Sequence, residues 1–304
     1  MLKFGLIVPT LNAGSGWVGW LDAFNSQTSM PDKQLVIDSS STDKTKNLSK
    51  DYGFSVEVIK RGEFNHGGTR QYGLNFLGDV DVVVFLTQDA ILSDVDSLSN
   101  ILKPFHDSRV AAVCGRQLPR KQAASIEEHA RLYNYSLQPN VKSINDVGEF
   151  GLKTAFISNS FAAYRVSALN EVGGFPKSVI FGEDMYVATK MLRAGYKIAY
   201  AADACAYHSH DYSLLQEMRR YFDMGVFHAR DPWIRQELGG AEGEGLKFVV
   251  SELRYLLKHA FWRVPEGVLR TVLRYTGFRL GLAEASLPVC LKKRLAMNKG
   301  FFKR

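Results

Sequence analysis

The sequence predicts an α/β fold: a mixed, mostly parallel sheet flanked by helices, followed by a helical C-terminal extension. Three observations predict it. Short apolar runs alternate with helix-like segments through the first half, the pattern of βαβ units. Beyond Ser213 the apolar spacing is helical only. The basic excess is confined to the end: residues 251–304 hold 12 Lys or Arg against 3 Asp or Glu, within a net charge of +7 for all 304 residues. At 46% hydrophobic content the chain can bury a sizeable core.

The elements follow in order. Strands are expected over Leu2–Pro9, Gln34–Asp38, Ser55–Lys60, Val80–Thr87 and Val110–Gly115, with helices between them. The opening run is too short for a secretory leader and lacks a small-residue cleavage site, so it reads as a buried strand of a cytoplasmic protein. Trp17, Trp20, Leu21 and Phe24 recur at i, i+3, i+4 and i+7, which gives the first crossover helix one aromatic face for the core. Ser39 to Asp43 supply turn and capping residues, so a helix should begin near Asp43. Residues 117–155 are looser, with helical spacing from Ile126 to Leu137, and read as an active-site flank or lid. Regular patterning returns with Phe156–Tyr164, a helix Glu183–Ala194 stopped by Gly195, and a strand Tyr196–His208. Helices are expected over Leu214–His228, Leu246–Trp262 and Glu266–Ala283. The glycine-rich stretch at 239–243 places a boundary near 240, between a sheet domain (1–240) and a basic helical region (241–304). Cys114, Cys205 and Cys290 are widely spaced and odd in number, which argues against a disulfide framework or a zinc cluster.

Ligands of open parallel sheets bind beyond the carboxyl ends of the strands, so polar residues there are the candidates. Pro9, Thr10 and Asn12 end the first strand, where backbone groups can face a base or ribose; an ordinary turn reads the same way. Asp38, with Ser40, ends the second and can accept from a base or ribose, or cap the turn. Arg61, Phe64, Asn65, His66, Gly67 and Arg70 lie in a glycine-containing stretch that suits close backbone approach to a ligand, with arginines for phosphate charge. The fourth strand ends abruptly in Thr87-Gln88-Asp89-Ala90. A carboxylate and an amide there suit a hard divalent cation bridging a diphosphate.

The ordered set Ile7-Val8-Pro9-Thr10-Leu11-Asn12, Val36 to Asp43, Glu63 to Arg70, Phe85-Leu86-Thr87-Gln88-Asp89-Ala90, Gly182-Glu183-Asp184 and Tyr207-His208-Ser209-His210 resembles the inverting glycosyltransferases of family 2. These enzymes have the Rossmann-like GT-A fold, and the match covers about residues 1 to 212. The strings Phe-Asn-His-Gly-Gly-Thr-Arg and Leu-Thr-Gln-Asp-Ala point within that family to bacterial rhamnosyltransferases. The resemblance implies that Asp38 binds the nucleobase and that Asp89 and His208 hold a divalent metal, Mg or Mn, with His210 as the substitute. It also implies that Asp184 is the catalytic base, while Glu183 holds the acceptor or positions the base. The chain departs from the family's Asp-x-Asp motif at Thr87, so the ribose contact would fall to Gln88 or a water. The expected donor is dTDP-rhamnose. The expected acceptor is a lipid-linked glycan of O-antigen or another surface polysaccharide.

Inverting transfer is one displacement and needs one base, unlike a glycoside hydrolase with its two carboxylates. The basic tail interleaves Arg254, Lys258, Arg263, Arg270, Arg274 and Arg279 with leucines, Phe261 and Trp262. That composition fits a helical element on an anionic membrane surface, and equally a helical cap with solvated charges. No run reaches the roughly 18 apolar residues of a membrane span. Membrane contact is therefore expected to be peripheral, at the inner face of the cytoplasmic membrane. Competing readings are a transferase of the same fold using a UDP- or GDP-sugar, and a non-catalytic nucleic-acid or sugar-binding protein; nucleic acid is not the expected partner.

Overall fold

A computed structural model describes residues 2–240 and 242–303. The chain forms two compact units: the residues up to Leu118 with Tyr135–Lys177 and Glu183–His208, and Pro119–Asn134 with Ser178–Gly182 and the residues from Ser209 onward.

The first unit is built on β1 (Phe4–Thr10), β2 (Lys33–Asp38), β3 (Ser55–Val58), β4 (Val82–Leu86), β5 (Ile91–Leu92), β6 (Val110–Leu118), β7 (Asn140–Lys142), β8 (Phe161–Arg165) and β9 (Lys197–Tyr207). They form one sheet in the order β3-β2-β1-β4-β8-β6-β9-β5, with β7 also on β9. β1, β2, β3, β4, β6 and β9 run in one direction, and β5, β7 and β8 run against them. The expected mixed, mostly parallel sheet is therefore present. The carboxyl ends of β1, β2, β4, β6 and β9 share one edge, where β8 begins: Thr10 pairs with Asp38, Leu86 with Phe161 and Leu118 with Tyr207.

The helices of this unit are α1 (Gly16–Asn25), α2 (Thr45–Asp51), α3 (His66–Leu77), α4 (Ser97–Leu102), α6 (Val147–Phe150), α7 (Val166–Glu171) and α8 (Glu183–Arg193). All five residues of β4 are buried, which explains its uninterrupted apolar run. On α1, Trp17, Trp20, Leu21 and Phe24 are buried as the spacing predicts, with Trp17 stacked on Trp20 at 4.6 Å. Burying each such side chain stabilises the fold by about 2–3 kcal/mol. The Trp20 indole also donates to the Thr87 carbonyl at 3.2 Å, which anchors the chain just before Gln88 and Asp89.

The second unit contains α5 (Ser125–Asn134), α9 (Leu214–Arg230), α10 (Pro232–Leu238), α11 (Glu242–His259), α12 (Val264–Leu282) and α13 (Val289–Leu295). Residues 209–240, read from sequence as part of the sheet domain, belong here, because α9 packs on α12 backbone to backbone. A Cβ on Gly277 would lie 2.3 Å from the Met218 carbonyl oxygen, and one on Gly281 2.2 Å from that of Phe222. The tail arginines are not all solvated either. Arg270 and Arg274 turn inward onto Glu217 at 2.5 and 2.6 Å, and Arg274 also meets Glu252 at 3.1 Å. Among the described residues, no helix is long and apolar enough to cross a membrane.

Candidate active site

The ends of β1, β2 and β4 are locked together by short polar bonds. Asp38 is fully buried; its Oδ2 accepts from the Thr10 hydroxyl at 3.1 Å and its Oδ1 from the Ser41 backbone N–H at 2.8 Å. Asn12 and Ser40 hold left-handed backbone, with φ of 46° and 63°, the conformation for which the short polar Asn is suited. Asn12 stays there because its N–H donates to Ser41 Oγ at 2.7 Å and its side-chain oxygen accepts from the Thr42 N–H at 2.8 Å. The Gln88 amide clamps the Leu11 peptide from both sides, accepting its N–H at 2.7 Å and donating to its carbonyl at 3.2 Å. Gln88 is thus a brace across the strand ends.

The stretch from Arg61 to Arg70 also differs from expectation. It is largely the start of α3, with Asn65 as its cap accepting from the Gly68 N–H at 2.8 Å. Packing requires Gly67, since a Cβ there would lie 2.0 Å from the Pro176 carbonyl oxygen. Arg70 is buried and ion-paired to Glu183 at 2.9 Å, with a second bond to the His66 carbonyl at 2.9 Å, instead of facing phosphate. Arg61 is exposed, and the Phe64 ring lies edge-on to His66 at 5.0 Å.

Glu183 and Asp184 open α8, where the helix dipole favours negative charge. Glu183 is buried and accepts from Arg70 and, at 3.0 Å, from the Asn159 amide. The Tyr164 hydroxyl fixes that amide by donating to its oxygen at 2.8 Å. Burial opposes ionisation of Glu183, yet Arg70, His66 and Asn159 outweigh it and hold its carboxyl below the ordinary value. Glu183 is therefore enclosed and does not reach out to an acceptor. Asp184 keeps part of its surface open, and its carboxylate accepts from the backbone N–H groups of Met185 at 2.8 Å and Asn159 at 3.3 Å. Burial, then the charge of Glu183, push its carboxyl up to about 7. A carboxylate with that proton affinity suits proton abstraction near neutral pH.

Asp89 and His208 meet at the same sheet edge, with Oδ2 and Nε2 3.5 Å apart. His208 Nδ1 lies 2.8 Å from Gln117 Oε1. An amide oxygen only accepts, so Nδ1 donates to it, which leaves Nε2 as the ring nitrogen facing Asp89. Gln117 is held in turn by donating to Ser158 Oγ at 2.9 Å. One carboxylate oxygen and one imidazole nitrogen, with the imidazole oriented from behind, form a donor pair that fits a divalent cation such as Mn²⁺. His210 belongs to the second unit, where its ring stacks on Tyr212 at 5.0 Å. Gln117, Ser158, Asn159 and Tyr164 were not singled out from the sequence; the available signal was the polar residues where β6 ends and just before β8 begins.

The glycosyl transferase family 2 model matches residues 6–173, more than half the chain. The chain belongs to glycosyl transferase family 2. It is 49% identical over 303 residues to the O-antigen chain rhamnosyltransferase WbaN of Salmonella anatum, covering 99% of this chain and 96% of that protein. It is likewise 49% identical, over 302 residues, to the O-antigen chain rhamnosyltransferase RfbN of Salmonella typhimurium, with 99% and 96% covered. Similar solved structures include the mannosyltransferase PcManGT from Pyrobaculum calidifontis in complex with GDP-Man and Mn²⁺, at a TM-score of 0.60 and 18% identity over 99% of this chain and 86% of that one. S. aureus TarS 1–349 in complex with UDP-GlcNAc has a TM-score of 0.53 at 14% identity, covering 94% and 92%. This glycosyltransferase shares with them the GT-A fold.

Proposed function

We propose that the chain is an inverting rhamnosyltransferase that moves L-rhamnose from dTDP-rhamnose onto a lipid-linked glycan in O-antigen synthesis, at the inner face of the cytoplasmic membrane. The near-full-length identity to two O-antigen chain rhamnosyltransferases supports the sugar and the pathway class. One observation carries the mechanism: Asp184, partly open and raised in proton affinity, shares the sheet edge with the Asp89–His208 pair.

Asp184 takes the proton of the acceptor hydroxyl as its oxygen attacks the anomeric carbon, and the Asn159 and Met185 N–H groups keep the receiving carboxylate aimed. Glu183 is a positioning residue: its buried charge, held by Arg70, raises the proton affinity of Asp184. Asp89 and His208 would hold Mg²⁺ or Mn²⁺, which neutralises charge on the departing nucleotide diphosphate. Gln117 keeps His208 in the tautomer that serves this. Asp38, Thr10, Asn12 and Ser40 shape the β1–β2 crevice for the nucleoside, and exposed Arg61 is the arginine of its stretch left for phosphate.

Calorimetric titration with dTDP-rhamnose, UDP-glucose and GDP-mannose, each with and without Mn²⁺, tests the reading. Metal-dependent binding of dTDP-rhamnose alone is expected. Preference for another sugar nucleotide discards rhamnose, and absence of binding to all three discards the donor site.

A further inference from the structure

α12 is turned inside out. Its inward side holds Gly267, Arg270, Arg274, Gly277 and Gly281, with the arginines bonded to Glu217 and Glu252. Its outward side carries Val268, Leu269, Val272 and Tyr275, all exposed, at the i, i+1, i+4 and i+7 positions of one helical face. The turn between α11 and α12 adds Phe261 and Trp262, 68% and 67% exposed, and the last turn of α11 adds Leu257 at 64%. The glycines explain the inversion. Close approach to the α9 backbone leaves no room for a side chain at Gly277 and Gly281, and the arginines take the rest of the inward side, so the apolar side chains lie outward.

An apolar stripe of this kind marks a surface that is covered in use. The charge around it selects the cover. From residue 245 on, the acidic side chains among the described residues are Glu252, Glu266 and Glu284, and each is ion-paired to arginine, at 3.1, 2.8 and 2.5 Å. The charged side chains exposed there are basic, among them Arg254, Lys258 and Arg279. Two copies of such a face would repel, whereas an anionic bilayer attracts the basic residues and accepts the apolar ones.

We propose that the outward face of the α11–α12 hairpin, led by Phe261 and Trp262 and continued by Val272 and Tyr275, seats in the headgroup layer of an anionic membrane. The transferase reading supplies only the purpose, since a lipid-linked acceptor lies at that surface; the argument for the face stands apart from it.

The test is co-sedimentation of the full chain with vesicles of phosphatidylethanolamine and phosphatidylglycerol, and with vesicles of phosphatidylcholine alone. Binding to the anionic vesicles is expected, weakened by salt. The double variants Phe261→Ser/Trp262→Ser and Val272→Asn/Tyr275→Asn should each lower it about tenfold or more. Both pairs are exposed, so the variants should keep wild-type nucleotide binding, and the second variant still reports if the first does not fold. Equal partition into both vesicle types, or variants that bind like the wild type, would overturn the proposal. A lipid-free dimer dissociated by the same substitutions would reassign the face to a second copy. Loss of donor binding with intact vesicle binding would sink the transferase reading and leave this one standing.

Discussion

Asp184→Asn separates the electrostatic argument for the base from the fold that carries it. In the wild type the carboxyl is raised from 3.8 to about 7 in the folded state. Between those values the folded protein therefore binds a proton that the unfolded chain has lost. Stability supplied by that protonated carboxyl is complete below about pH 4 and is lost as pH rises through about 7, by at most about 4 kcal/mol. The Asn side chain is neutral throughout and escapes this loss. The stability of Asp184→Asn relative to wild type should accordingly grow by about 2–3 kcal/mol between pH 5 and pH 8. Transfer should fall by about 10²- to 10⁴-fold, the span of general-base catalysis. Urea denaturation at the two pH values measures the first quantity, and steady-state transfer with saturating donor the second. A stability difference that does not change with pH would mean that Asp184 ionises normally, and the physical case for it as base would fail. Transfer within tenfold of wild type would remove it from the mechanism outright.

Gln117→Leu should leave the His208 tautomer unfixed and weaken Mn²⁺ binding about 10- to 100-fold, read by titration of the metal alone; unchanged affinity would show that Gln117 does not orient the ligand. Glu183→Gln removes the charge that, second to burial, raises the proton affinity of Asp184, while leaving Arg70 buried without its charged partner. The acid limb of the pH–rate profile should move to lower pH, and stability should drop by about 3–5 kcal/mol. A stationary acid limb would deny Glu183 its positioning role. Gly67→Ala forces a Cβ toward the Pro176 carbonyl and should cost about 1–3 kcal/mol in denaturation. Lost donor affinity at unchanged stability would instead restore the ligand-facing reading of that glycine.

Much of the site edge was legible because strand ends announce themselves. The apolar run of β4 stops at Thr87, and a carboxylate two residues later has few places to be except the sheet's ligand edge. Asp38 and His208 stood out in the same way. The partners behind these residues were hidden by distance along the chain. Gln117 meets His208 across 91 residues, and Arg70 meets Glu183 across 113. Both contacts depend on which elements become neighbours, and β6 pairs with β9 rather than with a strand adjacent in sequence. A glycine pair followed by an arginine fits a phosphate loop and a helix start equally well by composition. Asn65 as cap and Pro176 as neighbour decide between them, and only the fold supplies Pro176. Arg270 and Arg274 misled for a related reason: helical spacing shows that residues share a face, but which face is inward depends on Glu217 and on three glycines whose effect is steric.

These corrections shift the meaning of the stretch from Phe64 to Arg70, the string that most suggested donor recognition. Asn65 fixes where α3 begins, Gly67 lets that turn lie against the chain at 176, and Arg70, one turn later, thereby reaches Glu183. Arg70 favours ionised Glu183, whose charge adds to burial, the larger cause, in raising the proton affinity of Asp184. A change anywhere in that sequence of contacts should be felt at Asp184, the proposed base. Loss of the Arg70 charge would remove what favours ionised Glu183, and the two carboxyls would then compete for one proton as a coupled pair. The Phe64–Arg70 stretch thus bears on Asp184, the proposed base, through Arg70 and Glu183, and on this reading the donor contacts are to be tested beyond the ends of β1 and β2.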